Sequence, residues 1–171
     1  NARDGERFAA LPDSELGASE LRARAAREFY AATVESHERG AALLTRALQL
    51  DPGDAMSLAM RVHARTMVLR ARFERPDPEE AARLEAEADA AVQAAPRADF
   101  VVMVRGVLRL FKLGDLAGAR RDLERAERLD AGLAYPRLWR GVLRMAEGDA
   151  AGAARTLAEV LPRFEADPFR P

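Results

Sequence analysis

The side chains that could carry catalytic or metal chemistry are few in this sequence of 171 residues. It has no cysteine, which excludes disulfides, thiol catalysis and cysteine-ligated zinc. The two histidines, His37 and His63, show no HxxxH or HExxH spacing that would place two imidazoles on one metal ion. We therefore expect ordinary surface or groove histidines, with no metal site and no cofactor.

Carboxylates and glycines also fail to form a recognisable catalytic or phosphate-binding pattern. Acidic pairs such as Glu79–Glu80 and Glu85–Glu87 fall at helix starts or on exposed helix faces, where solvation and the helix dipole account for them. There is no GxxxxGK[ST] or GxGxxG segment and no spacing that suggests a Ser/His/Asp set. The sequence predicts no catalytic residue, and hence a chain that is not an enzyme.

Arginine is the residue type with the most suggestive spacing. Pairs at i, i+4 recur on three predicted helices, and the last of these adds one more arginine on the same face. A guanidinium group binds a carboxylate through two parallel hydrogen bonds. Stripes that faced a groove would bind an acidic peptide or the C-terminal carboxylate of a partner. The candidate partner-binding residues are Arg61, Arg65, Arg105, Arg109, Arg137, Arg140 and Arg144.

Composition restricts the other classes of partner. Lys and Arg number 27 against 28 for Asp and Glu, so the net charge of −1 gives no argument for nucleic acid or a membrane surface. No apolar run approaches the length that spans a bilayer, and no signal peptide is visible. We expect a cytoplasmic protein. The absent initiator Met and the abrupt end at Pro171 predict a piece of a longer protein, with a cloning scar at Asn1–Ala2.

Apolar periodicity and capping signals predict eight helices and no strand. Residues 1–18 are expected to form a lead-in segment with a helical turn around Arg7–Leu11, and residues 19–171 a helical domain. Ser19 is the predicted cap of the first helix, and Ser36–His37 a polar turn before the second. The predicted helices span about 20–35, 38–50, 55–73, 78–95, 99–113, 115–130, 134–147 and 150–165.

A fixed period relates the second half of the sequence to itself. Gly114 and Gly148 lie 34 residues apart, and the same separation relates Ala119 to Ala153 and Leu123 to Leu157. A repeat of this length with small residues at matched places is typical of a helix–turn–helix solenoid. We therefore predict an all-α solenoid of four antiparallel helix pairs.

These residues resemble the tetratricopeptide repeat (TPR) family over about residues 20–165. The resemblance implies a right-handed α-α superhelix whose first helices line the concave surface, and a non-enzymatic protein-protein interaction scaffold that binds a peptide or domain there. The second pair matches least well, with about ten extra residues around 73–76. The matching residues are Gly40, Leu44, Ala47 and Pro52; Ala91 and Pro96; Gly106, Gly114, Asp115, Ala119, Leu123 and Ala126; and Gly141, Gly148, Asp149, Ala153, Leu157 and Val160.

The resemblance creates a conflict for the arginine stripes. Unpaired buried guanidinium groups would cost too much free energy. Yet the resemblance places six arginines where the family usually buries leucine and tyrosine: Arg61, Arg65, Arg105, Arg109, Arg140 and Arg144. The first helices could be rotated, the arginines could extend to a surface, or they could pair with acids from the second helices. A merely solvated arginine face is the simplest alternative to a binding groove.

A softer resemblance covers residues 26–55, which look like the start of the repeat region of some bacterial class III adenylate/guanylate cyclases. It implies the alternative function of a regulatory or dimerising segment in a larger signalling protein. The partner would then be a second copy or a neighbouring domain of the same protein. An exposed apolar face is expected on the last helix, from Leu157, Val160, Leu161 and Phe164.

Overall fold

The computed structural model describes residues 12–112, 114–130 and 134–165. Those residues form a short 3-10 turn, Asp13–Glu15, and eight α-helices, with no strand among them. The turn around Arg7–Leu11 predicted for the lead-in lies outside the described residues, as does the side chain of Phe164. The exposed apolar face expected on the last helix is wrong at Val160, which is completely buried, whereas Leu161 is exposed. The helices are α1 Ala18–Phe29, α2 Val34–Leu50, α3 Ala55–Ala71, α4 Pro78–Ala94, α5 Asp99–Lys112, α6 Leu116–Leu129, α7 Ala134–Ala146 and α8 Ala150–Glu165.

The helices form four antiparallel pairs, α1–α2, α3–α4, α5–α6 and α7–α8. Each helix packs against its neighbours in sequence, and the first helices of successive pairs also contact one another, α1 with α3, α3 with α5 and α5 with α7. This arrangement confirms the predicted all-α solenoid. The first helices form one layer, called here the A helices, and α2, α4, α6 and α8 form the other, the B helices.

Aspartates start several helices where the sequence predicted them. The carboxylates of Asp54, Asp77 and Asp115 accept hydrogen bonds from the backbone N–H groups of the first turns of α3, α4 and α6, which satisfies donors that a helix start leaves unpaired. Gly114 follows α5 with φ 61°, and Gly148 follows α7 with φ 83°. Glycine adopts this left-handed conformation without steric cost, so the 34-residue period marks equivalent turns.

The predicted turn at Ser36–His37 is wrong. Helix α1 already ends at Phe29, and α2 begins at Val34, so both residues lie in the first turn of α2. Thr33 is the cap: its hydroxyl accepts from the Ser36 N–H at 3.1 Å, and the Ser36 hydroxyl lies 3.0 Å from the Thr33 N–H. This reciprocal capping sets the helix start four residues earlier than apolar periodicity indicated.

The second helix pair, α3 and α4, contains the extra residues predicted around 73–76. They lengthen both helices, which residues 72–77 connect. Helices α3 and α4 have 17 residues each, whereas α5 and α6 have 14. When Arg61 and Arg65 are matched to Arg105 and Arg109, the last turn of α3 has no equivalent in α5. That additional turn carries Arg70 and Ala71.

The core lies between the two layers and is best developed around α5. Val101, Val102, Val104 and Val107 of this helix are almost completely buried. Glycine lets the layers approach closely, because a Cβ on Gly141 would lie 2.6 Å from a methyl group of Leu157.

Candidate functional site

An open groove of about 640 Å³ runs along the concave side of the A helices. Its lining comes from α1, α3, α5 and α7, from the segment that joins α1 to α2, and from the first turn of α2. We call it the concave groove. Most of the lining is apolar or aromatic, and four of the five methionines of the sequence contribute: Met56, Met60, Met67 and Met103.

Helix α3 contributes a single face to the concave groove. Met56, Met60, His63, Met67 and Arg70 are spaced i, i+4, i+7, i+11 and i+14, so they share one side of the helix. Unbranched methionine side chains adapt to irregular partners and are frequent on surfaces that bind apolar segments. The spacing of this stripe is visible in the sequence, but Arg61 and Arg65 of the same helix are the residues that the sequence hypothesis names.

Four aromatic rings pack together beside the methionines. His37 stacks on Phe29 with ring centroids 5.1 Å apart, and His63 lies 6.0 Å from the rings of Phe29, His37 and Phe100. His37 Nδ1 is 2.7 Å from the carbonyl oxygen of Thr33 and donates to it. The two histidines thus belong to the concave groove, and the helix start at Val34 is what brings His37 there.

His63 is held neutral at physiological pH. Burial lowers its pKa from 6.5 to about 4, and the nearby charges of His37 and Arg70 act in the same direction. Although the residue is partly exposed, its Nδ1 is buried and has no hydrogen-bond partner among the residues that the structure describes. An unpaired ring nitrogen therefore lies beside an apolar surface.

Trp139 provides a second unpaired nitrogen. Its side chain lines the concave groove and is only 8% exposed. Its Nε1 is buried without a partner among the described residues. The indole packs edge-on against Phe111 with centroids 5.7 Å apart, and the guanidinium carbon of Arg70 lies 5.9 Å from the same Phe111 ring. The Trp139 indole and the Arg70 guanidinium therefore both lie against the ring of Phe111.

Among the described residues, the charged ones that line the concave groove are Arg70 and Asp99. Arg70 lies in the last turn of α3 and Asp99 begins α5, a helix parallel to α3, so the two charges mark opposite ends of the groove. Neither forms an ion pair with any residue that the structure describes. Both charges are therefore available to an occupant of the groove.

The predicted arginine stripes face the B helices and do not line the concave groove. Arg61 binds Glu87 of α4 at 3.0 Å, and Arg65 binds Glu80 of α4 at 2.5 Å. Hydrogen bonding to Glu80 raises the pKa of Arg65 above its already high value. Of the alternatives that the sequence left open, the structure shows pairing with acids from the second helices.

Asp122 of α6 is the centre of the next ion-pair cluster. It accepts two hydrogen bonds from Arg105, at 2.7 and 2.9 Å, and one from Arg109 at 2.6 Å. Asp89 of α4 adds a further contact to Arg105 at 3.0 Å. The carboxylate of Asp122 is nearly inaccessible, so one buried acid pairs with two arginines of the facing helix, and Asp89 supplies the second negative charge.

The last stripe pairs differently because its own B helix has no acid at the position equivalent to Asp122. One period after Asp122 the sequence has Thr156, and Arg137 and Arg140 instead bind Glu127 on α6, Arg137 at 2.9 Å. Burial raises the pKa of Glu127, but the hydrogen bonds from Arg140 and Arg137 outweigh it and lower the pKa overall. Arg144 donates to the carbonyl oxygen of Gly152 at 3.2 Å. Its guanidinium has no carboxylate within ion-pair distance among the described residues.

Metal-binding clusters and membrane-spanning helices are both absent among the residues that the structure describes. Within residues 12–112, 114–130 and 134–165, no group of three or more His, Asp or Glu side chains could hold a metal ion. No helix in the same ranges is long and apolar enough to cross a membrane.

Several solved structures have a fold similar to that of this chain. The first TPR domain of human RPAP3, determined by NMR, matches 81% of this chain and 95% of that domain at 18% identity, with a TM-score of 0.58. The first TPR of Spaghetti (RPAP3), bound to the HSP90 peptide SRMEEVD, matches 78% and 93% at 19% identity and a TM-score of 0.56. This chain has the fold of TPR domains.

A third structure, from a bacterium, has a similar fold over a larger share of this chain. MamA from Desulfovibrio magneticus RS-1 matches 88% of this chain and 77% of its own at 16% identity, with a TM-score of 0.56. No protein-family model matches the sequence, and no curated protein matches it. None of these three structures is a nucleotide cyclase, so the resemblance to cyclase repeat regions stays a prediction.

Proposed function

We propose that this chain is a non-enzymatic interaction module that binds a segment of another protein in the concave groove. The observation that carries the proposal is the groove itself: about 640 Å³, open to solvent and lined mainly by methionine and aromatic side chains. An apolar concave surface of this kind loses contact with water when an apolar segment fills it, which favours binding.

The fold supports a protein partner. The structure of the Spaghetti TPR contains a bound HSP90 peptide, so the same architecture accommodates a peptide in at least one protein of similar shape. Function has to be argued from the site, since one fold carries many tasks. Here the site differs from an acidic-peptide clamp, because Arg70 is the only arginine among the described residues that line the groove.

The arginine stripes remain the second candidate for binding an acidic peptide. Arg144 favours it, because this side chain has only a carbonyl partner among the described residues and lines a smaller polar cavity of about 240 Å³. Glu124, Glu147 and Asp149 line the same cavity and oppose an anion. Along the other stripes an incoming acid would have to displace carboxylates already hydrogen-bonded to arginine, so the concave groove is the preferred site.

Site-specific photo-crosslinking tests the proposal. Tyr135 lines the concave groove and is 51% exposed, whereas Ala90 is an exposed residue of α4 outside it. We expect p-benzoylphenylalanine at position 135, in cells that express the protein, to trap a discrete polypeptide, and the same group at position 90 to trap none. Equal crosslinking from both positions, or none from position 135, would contradict the proposal.

A matched pair of substitutions checks that the groove is responsible. Ala71 and Ala90 are both exposed helix residues, but only Ala71 lines the groove. Ala71→Glu should abolish the crosslink from position 135, because it places a charge against an apolar occupant. Ala90→Glu should leave the crosslink unchanged, and circular dichroism should show both variants folded.

A further inference from the structure

We infer that the occupant of the concave groove is an amphipathic α-helix of a partner protein, lying with its C-terminal end at Arg70 and its N-terminal end at Asp99. The inference rests on the proposed function and adds the conformation and direction of the bound segment. Three features of the groove support it: its length, the apolar and aromatic side chains in its middle, and the opposite charges of Arg70 and Asp99 at its two ends.

The length of the groove suits several turns of helix. The lining face of α3 runs from Met56 to Arg70, which at 1.5 Å per residue is about 20 Å, or roughly four helical turns. Along this distance α3 offers only methionine, His63 and, at its end, Arg70. A helix that places apolar side chains at i, i+3, i+4 and i+7 would present one continuous apolar stripe to this face.

The middle of the groove is poorly suited to an extended backbone. An extended segment exposes N–H and C=O groups along its whole length, and each loses water when buried unless it finds a partner. The middle provides methionine and aromatic side chains, and among the described residues there only His63 carries an unpaired nitrogen. A helix satisfies its central backbone groups internally and needs partners only at its ends.

The ends of the groove supply the partners that a helix lacks. The last four carbonyl groups of a helix are unpaired and carry partial negative charge, and the first four N–H groups carry partial positive charge. Arg70 is a cation without an ion pair among the described residues, and its guanidinium lies over the Phe111 ring. Asp99 is an anion at the other end. The charges match a helix directed from Asp99 to Arg70.

Selection from a library of random 16-residue peptides displayed on phage tests the conformation. We expect peptides that bind this chain, and that fail to bind the Ala71→Glu variant, to carry apolar residues at i, i+3, i+4 and i+7. Circular dichroism should show that they gain helix on binding. Groove-dependent peptides that are proline-rich or acidic without this spacing would overturn the inference and leave the proposed function standing. Recovery of no groove-dependent peptide would overturn both.

The charged ends are tested with the selected peptides. Arg70→Gln and Asp99→Asn should each weaken binding about two- to fivefold, the size expected for a charge at a helix terminus. Arg83→Gln, on the exposed surface of α4, is the matched control and should leave the affinity unchanged. Affinities that are the same in the Arg70→Gln, Asp99→Asn and unmodified proteins would overturn the assignment of the ends.

Disulfide trapping tests the direction in which the partner helix lies in the groove. Because the sequence has no cysteine, any disulfide must involve the introduced residue. Ala71 lies beside Arg70 and lines the groove. An Ala71→Cys variant should form a disulfide faster with a peptide that carries cysteine at its C-terminus than with one that carries it at its N-terminus. The opposite preference would overturn the direction.

Discussion

At the scale of single residues, Asp122 illustrates how this protein accommodates arginines inside a helical solenoid. Its buried carboxylate faces Arg105 and Arg109, and the guanidinium groups keep their outer edges partly exposed. The hydrogen bonding that Asp122 accepts is the main cause that raises the pKa of Arg105. The arginines therefore stabilise the contact between α5 and α6 in addition to any role in binding.

Asp122→Asn tests that structural role. Removing one member of a buried ion pair leaves charge without compensation, and we expect the free energy of unfolding to fall by about 3 kcal/mol. Urea denaturation measures it. Asp89→Asn is the control: this carboxylate is 41% exposed, and its loss should cost less than about 1 kcal/mol. Similar losses for both variants would show that Asp122 has no special place in the cluster.

His63 predicts a pH dependence of stability. Because its pKa is about 4 in the folded state and near 6.5 in the unfolded state, only the unfolded state takes up this proton between those values. The free energy of unfolding should therefore fall as pH falls from 6.5 toward 4, by at most about 1.4 kcal/mol per pH unit. His63 should contribute no pH dependence above this window.

Urea denaturation at pH 7.5 and pH 5 checks the contribution of His63. A His63→Phe variant keeps an aromatic ring among Phe29 and Phe100 but cannot take up a proton. We expect it to lose less stability between the two pH values than the unmodified protein. The same pH dependence in both proteins would assign it to other groups.

At the scale of elements, the sequence predicted the start of α4 well and the bounds of α1 and α2 poorly. The predicted cap Ser19 is wrong, because α1 begins at Ala18 after Gly17 and ends at Phe29. Asp77 followed by Pro78 marks the start of α4, and the structure begins the helix at Pro78. The start of α2 was missed because Ser36 and His37 are polar and read as a turn. The Thr33–Ser36 capping box overrides that polarity, and its effect is visible only once the side chains are placed.

The candidate site was predictable only in part for a related reason. Periodicity shows that arginines and methionines occupy different faces of α3, but not which face meets α4 and which lines the groove. That choice depends on acids distant in sequence: Glu87 lies 26 residues from Arg61, and Asp122 lies 17 from Arg105. These pairings orient the A helices and leave the methionines for the concave side.

Close contact between paired helices gives a prediction at the element scale. Gly→Ala inside a helix normally stabilises it by up to about 1 kcal/mol. At Gly141 the new methyl group would overlap Leu157, and we expect Gly141→Ala to destabilise the protein by about 1–3 kcal/mol instead.

Thermal unfolding measures the effect, and the sign of the change decides the outcome. Gly53→Ala is the comparison, because the nearest atom to its new methyl group would be 3.9 Å away. We expect little change there. A stabilising Gly141→Ala would mean that α7 and α8 are not as closely packed as the structure shows.

At the scale of the whole molecule, charge and apolar surface are divided between the two sides of the A helices. Arginines face the B helices and are largely paired with acids, which agrees with a net charge of −1 in an arginine-rich protein. Methionine and aromatic side chains line the concave side. The additional turn of α3 extends this side and ends it with Arg70. The division is the basis for placing the partner in the concave groove.

The single tryptophan allows the most direct test of that placement, because Trp139 lines the groove and reports its occupancy. The measurement is its fluorescence during titration with the tightest-binding selected peptide. We predict a saturable shift of the emission in the unmodified protein and in Arg61→Gln, whose guanidinium lies outside the groove, and no shift in Ala71→Glu. Saturable binding that leaves Trp139 emission unchanged, or that is lost in Arg61→Gln and kept in Ala71→Glu, would contradict the account.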